Sequence, residues 1–169
     1  MSLFTSLEFN SLDDLFMDQL EDLYDAESRI VKALPKMAAA ATSPTLKGAF
    51  ENHLKETLSH VDRLETIFQQ LGREPERETC EAMKGLLSEG EHMIDAKGDP
   101  SVRDAALIAA AQRVEHYEMS GYGTARTFAA RLGHAEAARL LQATLDEERA
   151  ADQKLGKIAE AEVNVHAVR

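Results

Sequence analysis

RDAALIAAAQRVEHYE, running from Arg103 to Glu118, is the stretch of sequence that decides the fold. Residues spaced three or four positions apart along it predict one buried helix face, made of Ala105, Ile108, Gln112, Glu115 and Glu118. Just beyond it stand Gly121 and Gly123. Because a glycine within a helix costs about 1 kcal/mol relative to alanine, they predict a close approach by another backbone. The stretch therefore predicts a tightly packed helix with two acids on its buried face.

Start and stop signals on both sides of this stretch predict four long helices. Asp99-Pro100 precedes the helix just described and Gly133 follows it, Ser11 precedes another, and Ser43-Pro44 and Gly72 flank a third. We expect helices over about residues 11–41, 44–71, 101–132 and 134–162. We also expect a kink or break at Pro35 and a frayed end over residues 163–169.

The connector between the second and third long helices, residues 72–100, is rich in charge, Gly and Pro. Only its centre, around residues 80–96, has a helical pattern. Short loops make the flanking helices antiparallel neighbours, and the connector is long enough to return the chain along the bundle. The sequence thus predicts a single all-α domain, residues 1–169, in which two antiparallel helical hairpins are joined by a long crossover containing a short helix.

Composition excludes several classes of protein. The chain has 169 residues, of which 44% are apolar, enough for one core. A net charge of −11 disfavours nucleic acid and membrane surfaces as partners. The longest apolar run, Ala105 to Ala111, is too short to span a bilayer, and the first residues have no pattern of a secretory signal. With Cys80 as the single cysteine, we expect a protein of the reducing cytoplasm.

Each of the four helix faces carries acids at mid-length, where apolar residues are expected. These are Glu27, Glu56, Glu115 with Glu118, and Glu148 with Asp152. At a rise of about 1.5 Å per residue, Glu27 and Glu56 lie about 22 and 19 Å from the first hairpin loop. By the same rise, Glu118 and Glu148 each lie about 22 Å from Gly133. The acids are therefore expected to meet at one level of the fold.

Carboxylates that meet in an apolar interior repel one another and lose hydration, so they need a compensating partner. Shared protons, hydroxyl donors and metal cations are the three candidates. Two divalent cations balance four carboxylates, and His53 or, with less support, His60 adds a nitrogen ligand without charge. Oxygen-rich ligation with few imidazoles favours iron first and manganese second. Tyr24 and Tyr122 are expected to hydrogen-bond to the ligands.

Several stretches of the chain resemble the YciF-like stress-protein family. They are LEDLYDAE (20–27), FENHLKET (50–57), RDAALIAAAQRVEHYE (103–118), SGYGT (120–124) and TLDEERAAD (144–152). The resemblance covers about residues 12–159. It implies a ferritin-like four-helix bundle related to rubrerythrin, often dimeric, with a dimetal site and a connection to stress responses. A homodimer, and contact with other stress proteins, are therefore expected.

Carried over from the ferritin-like pattern, the expected ligands are Glu27, Glu56, Glu115, Glu118 and Glu148. The chain departs from that pattern because Ser59 and Ala151 stand where Glu-x-x-His motifs place histidines. His53 lies one turn earlier, His60 one residue later, and Asp152 where a late histidine would be. We expect His53 and Asp152 to complete the ligand shells, with Glu56 and Glu148 bridging the ions.

Two functions follow from these expectations. The first is a di-iron carboxylate protein that handles oxygen, peroxide or Fe(II), an oxidoreductase or ferroxidase-like activity. The second is a non-catalytic protein of the stress response, in which the same acids hold a structural metal.

Overall fold

The computed structural model describes residues 8–75 and 78–168, and within these ranges it contains helices and no strand. The helices are α1 (Leu12–Ala40), α2 (Pro44–Gln70), α3 (Glu81–Ile94), α4 (Pro100–Leu132), α5 (Ala135–Ile158) and α6 (Asn164–Ala167). A π-helical turn, Ala159–Val163, joins α5 to α6. The predicted all-α class is confirmed. Within the described ranges, each helix lacks the length or the hydrophobicity that a membrane-spanning helix needs.

The predicted start signals cap the helices. The Ser11 and Ser43 hydroxyls accept hydrogen bonds from the N–H groups of Asp14 and Leu46, and Asp99 accepts from two N–H groups of the first turn of α4. Gly133 ends α4 with a left-handed φ of 85°, a conformation that favours glycine over residues with a Cβ. These local signals account for where α1, α2 and α4 begin and where α4 ends.

The break that was one of the two alternatives at Pro35 is absent, and the frayed end expected over residues 163–169 is wrong for residues 163–167. The helix α1 continues through Pro35 without a break. Residues 163–167 are helical instead of frayed, and Val163 is buried in the core. Ile158 and Val163 are five positions apart, which is the hydrogen-bonding period of a π-helix, so the π turn keeps both side chains on the buried face. Ser43 also donates a hydrogen bond to Glu162 over 2.6 Å, which ties this end of the chain to the start of α2.

The long helices pack in a cycle: α1 contacts α2 and α4, and α5 contacts α2 and α4, while α3 covers α1 and α4. Two apolar clusters fill the interior at the two ends. One holds Ile30, Leu34, Leu46, Phe50, Leu107, Ile108 and Leu155, and the other holds Phe16, Leu20, Leu64, Phe68, Leu141 and Leu145. Between these clusters, at mid-length of the four long helices, the buried side chains include acids and histidines, among them Glu27, His53, His60, Glu118 and Glu148. The fold therefore places a polar layer between two halves of an apolar core.

Candidate metal centre

The polar layer brings together side chains from four helices. They are Glu27 of α1, His53 and His60 of α2, Glu115 and Glu118 of α4, and Glu148 of α5. Each of these residues is buried. We call these six residues the central cluster.

The central cluster divides into two groups of potential ligands. One consists of Glu27, His60 and Glu148, and the other of His53, Glu115, Glu118 and Glu148. Within each group, one ligand atom per residue lies within 4.8 Å of all the others. Because Glu148 belongs to both groups, the two sites adjoin and share a carboxylate.

Many polar atoms of the central cluster have no hydrogen-bond partner. Of ten such buried side-chain atoms in the described residues, eight belong to it: Glu27 Oε2, His53 Nε2, His60 Nδ1, Glu115 Oε2, both oxygens of Glu118 and both oxygens of Glu148. A buried polar group without a partner costs about 1–3 kcal/mol, and more when it is charged. So many at one place indicate that a ligand belongs among them.

The ring nitrogens approach the carboxylates closely without forming hydrogen bonds. His60 Nδ1 lies 2.8 Å from Glu148 Oε1 and 3.2 Å from Glu27 Oε1, and His53 Nε2 lies 3.3 Å from Glu115 Oε1. Neither nitrogen makes a hydrogen bond. Nitrogen and carboxylate oxygen atoms that converge in this way are the arrangement that a cation requires.

The outer nitrogen of each histidine faces a more exposed carboxylate. His60 Nε2 lies 2.9 Å from Glu147 Oε2, and Arg63 holds that carboxylate through two hydrogen bonds of 2.6 and 2.8 Å. His53 Nδ1 lies 3.2 Å from Glu56 Oε2. Because a carboxylate accepts the proton of the ring nitrogen that faces it, the inner nitrogens are left free to bind a metal.

Burial dominates the acid–base properties of the carboxyls. Burial, followed by the charges of neighbouring carboxylates, raises the pKa values of Glu115 and Glu118 well above their usual range. Burial also raises the pKa of Glu27, although His60 opposes the increase. Without a cation these three carboxyls retain protons to higher pH than exposed acids do.

His60 and Glu148 respond mainly to each other. Burial lowers the pKa of His60, but the carboxylates of Glu148 and Glu27 outweigh it and raise that pKa to about 10. Burial raises the pKa of Glu148, but His60 and Glu115 outweigh it, so the net direction is downward. The pair therefore carries opposite charges when no metal is bound, and a cation would take the place of the His60 proton.

Two predicted ligands lie outside the central cluster. The Glu56 side chain is 39% exposed and contacts His53, because it stands at the edge of the buried α2 face whose centre is occupied by Thr57. The Asp152 side chain is 21% exposed, lies one turn beyond Glu148, and accepts a hydrogen bond of 3.0 Å from Gln112. His60, which the sequence supported less strongly than His53 as a ligand, is fully buried within the central cluster.

The two tyrosines expected to support the ligands differ. Tyr122 donates a hydrogen bond to Glu27 Oε1, and its ring packs edge-on to His60. The Tyr24 hydroxyl donates to Glu65 over 2.7 Å, and its ring packs edge-on to Phe68. Periodicity did not indicate Glu147 or Arg63, because both lie off the buried faces and only the packing of α2 against α5 brings them together.

A small cavity of about 120 Å³ between α2 and α5 reaches the central cluster. His53 and Glu115 line its buried part, and the more exposed Glu56, Glu147 and Lys154 line its outer part. Since a water molecule needs about 10–15 Å³ of such space, the cavity holds several waters or a molecule of similar size.

Comparison with known proteins places the chain in a family. Residues 11–168 match the family described as "Domain of unknown function (DUF892)", and the chain belongs to this family.

Among its relatives, Protein YciF of Escherichia coli (strain K12) is 41% identical over 162 residues, which cover 95% of this chain and 98% of YciF. The crystal structure of that stress protein matches with a TM-score of 0.89, at 42% identity, over 92% of this chain and 99% of the other. YcfI from Rhodopseudomonas palustris matches with a TM-score of 0.88 at 41% identity, over 92% and 99% of the two chains. The resemblance to YciF-like stress proteins is therefore confirmed. A protein from Xanthomonas campestris, at 20% identity and a TM-score of 0.74 over 93% and 96% of the two chains, shares the fold.

Proposed function

We propose that this chain is a ferritin-like four-helix bundle that holds two divalent cations in its central cluster. Iron is the favoured metal and manganese the second choice, and the reactions are those of oxygen, peroxide or Fe(II) during stress. The eight unpartnered buried polar atoms at one level carry this proposal. Four carboxylates and two imidazoles match the preference of iron and manganese for oxygen and nitrogen donors.

The residues of the central cluster would be the metal ligands, and neighbouring residues would orient them. Glu27, His60 and Glu148 would hold one ion, and His53, Glu115, Glu118 and Glu148 would hold the other. Glu56 and Glu147 orient the histidines, and Tyr122 orients Glu27. Bound iron ions would supply the electrons for reducing oxygen or peroxide. Burial excludes bulk water, and the 120 Å³ cavity admits only small molecules.

Metal content and peroxide consumption test this proposal. Protein purified without chelators is expected to contain about two metal ions per chain, with anomalous scattering from iron or manganese at the central cluster. After loading with Fe(II), it should consume peroxide faster than free Fe(II) does. The double variant Glu27→Ala, Glu148→Ala should lose both the metal and the activity. Wild-type protein that takes up neither metal contradicts the proposal.

A structural role for the same metal centre is the second candidate. The complete burial of Glu27, Glu118, Glu148 and His60 favours it, since no ligand atom is open to a large substrate. A structural role has also been suggested for YcfI of Rhodopseudomonas palustris. If the double variant loses its metal but still protects cells against stress, metal-dependent catalysis is not the source of protection, and assembly or docking explains it. Sedimentation of a dimer, as expected for this family, would exclude iron storage in a closed shell.

A further inference from the structure

A second, larger cavity lies between α1, α3 and α4, with a volume of about 490 Å³. This volume is within the range of about 300–1,000 Å³ that is usual for small-molecule sites. Its lining on α1 extends from Asp25 to Met37, a length of about 18 Å at 1.5 Å per residue. The cavity is therefore long as well as large.

Apolar side chains form most of the wall. Ile30, Leu34 and Met37 line it from α1, Leu87 and Ile94 from α3, and Val114 from α4. Most of these are buried, while Leu87 and Ile94 are partly exposed. Burying an alkyl chain against such a wall is favourable by about 0.8 kcal/mol per CH₂ group.

Four cations border the cavity although the whole chain carries a charge of −11. Three are paired with acids: Arg29 with Asp25, Lys36 with Glu91, and Lys84 with Glu81. Lys32 is exposed and has no ion-pair partner among the residues that the structure describes. Lys32 is therefore the cation of the lining that no acid in the described residues pairs with, which suits a ligand with a single negative charge.

The two ends of the cavity can be located along α1 and α3. Asp25 accepts a hydrogen bond from the Cys80 N–H, and Lys36 forms an ion pair with Glu91. Both contacts join residues 55 positions apart in the sequence, so α3 runs alongside α1 in the same direction. Arg29 and Lys84 consequently lie at one end, with Lys32 one turn further along α1. Met37 and Ile94 lie at the other end, next to the Lys36–Glu91 ion pair.

We propose that this cavity binds a linear monocarboxylate of the fatty-acid type. The carboxylate contacts Lys32 beside Arg29 and Lys84, and the alkyl chain extends along the apolar wall towards Met37 and Ile94. Glu115 of the central cluster also lines the inner wall of this cavity. The proposed ligand contacts do not include Glu115, and the test uses metal-free protein, so either proposal can fail without the other.

Binding of laurate to the metal-free, full-length chain tests the proposal, measured by displacement of a fluorescent fatty acid. Laurate is expected to bind, and lauryl alcohol more weakly. Lys32→Glu should weaken laurate about two- to fivefold, the range of an exposed ion pair, without affecting lauryl alcohol. Lys47→Glu, at an exposed lysine of α2 outside the cavity, is the matched control and should bind laurate as wild type does.

A second pair of variants tests the location. Ala111→Leu fills the cavity and should lower the affinity for laurate at least tenfold. Ala109→Leu, at an exposed position nearby that does not line the cavity, should leave that affinity unchanged. Failure of the wild type to bind laurate overturns the proposal. The proposal is also overturned if Lys32→Glu and Ala111→Leu both bind laurate as tightly as the wild type does. A wild-type dimer that Ala111→Leu dissociates, and on which laurate has no effect, would overturn it as well, because the occupant of the cavity would then be a second copy of the chain.

Discussion

At the scale of single residues, the two histidines show how the chain prepares a binding site. Each imidazole has one nitrogen fixed by a carboxylate at the edge of the fold and the other directed into the central cluster. The fixing carboxylates, Glu56 and Glu147, are both more than a third exposed, so they remain hydrated while they act. Glu56 therefore orients His53, a proposed metal ligand, and lies outside the central cluster itself.

Replacing Glu147 tests the positioning of His60. Glu147→Gln leaves an amide of similar shape but weakens the contacts to His60 Nε2 and Arg63, so metal affinity should fall about 10–100-fold, as is usual for partners of metal-bound histidines. Titration with Mn(II) under nitrogen measures it. Asp146→Asn, at the neighbouring exposed acid, should retain the wild-type affinity. Equal losses in both variants would indicate a general charge effect instead.

At the scale of helices, packing of α4 against α1 depends on Gly121. A Cβ at this position would lie 2.8 Å from Leu23 Cδ2, whereas one at Gly123 would lie 4.0 Å from its nearest neighbour, Leu145. The close contact at Gly121 is therefore with a side chain and not with another backbone as predicted, and Gly123 has no such close contact. Leu23 is itself buried, so it has little room to move away.

The two glycines give opposite predictions for alanine substitution. Gly123→Ala should raise the free energy of unfolding by about 0.5–1 kcal/mol, because alanine favours the helix. Gly121→Ala also introduces a residue that favours the helix, but its Cβ forces Leu23 to shift, at a cost of about 1–3 kcal/mol. This variant should therefore have a lower free energy of unfolding than the wild type. Urea denaturation of both variants measures the difference. A stabilised Gly121→Ala variant would show that α1 and α4 separate easily.

The start of α4 is also fastened to the turn between α1 and α2. The buried Asp104 carboxylate accepts hydrogen bonds from the N–H groups of Thr42 and Ser43, at 2.9 and 2.7 Å. Asp104→Ala leaves both donors unpaired and should lower the free energy of unfolding by about 2–3 kcal/mol. Asp104→Asn retains an acceptor oxygen and should lose less. Equal losses measured by urea denaturation would argue against these hydrogen bonds as the cause.

At the scale of the whole molecule, the polar layer makes stability depend on pH when no metal is bound. Burial raises the pKa values of Glu27, Glu115 and Glu118 above 4.5, the value in the unfolded chain. The unfolded state then releases protons that the folded state keeps, so stability falls as pH rises above 4.5. His60 acts in the same direction, because its contribution to stability is complete below pH 6.5 and is lost as the pH rises through its folded-state pKa of about 10.

Metal-free protein should therefore melt at a lower temperature at about pH 8 than at about pH 6. Glu148 does not reverse this trend, because its lowered pKa confines its effect to pH values below 4.5. Mn(II) should raise the melting temperature more at the higher pH, since protons compete less for the ligands. Calorimetry with and without chelator measures both effects. A metal-free melting temperature that rises from pH 6 to pH 8 would contradict the raised pKa values.

Local sequence determined the helices and the depth of the polar layer. Ser11, Ser43-Pro44, Asp99-Pro100 and Gly133 set helix ends through bonds to neighbouring residues, and a constant rise per residue puts acids of different helices at one level. Both effects act within a few turns of one helix, so they can be predicted without knowing the partners.

Tertiary structure alone decided which acids enter the polar layer and which stay at its edge. Glu56 and Asp152 share helix faces with true members of the central cluster, but the orientation of each helix against its neighbours leaves them partly in solvent. The same packing brought Arg63 and Glu147 of different helices together around His60. A sequence pattern records the period of a helix but not its rotation about its own axis, and that rotation is fixed only when the helices pack together.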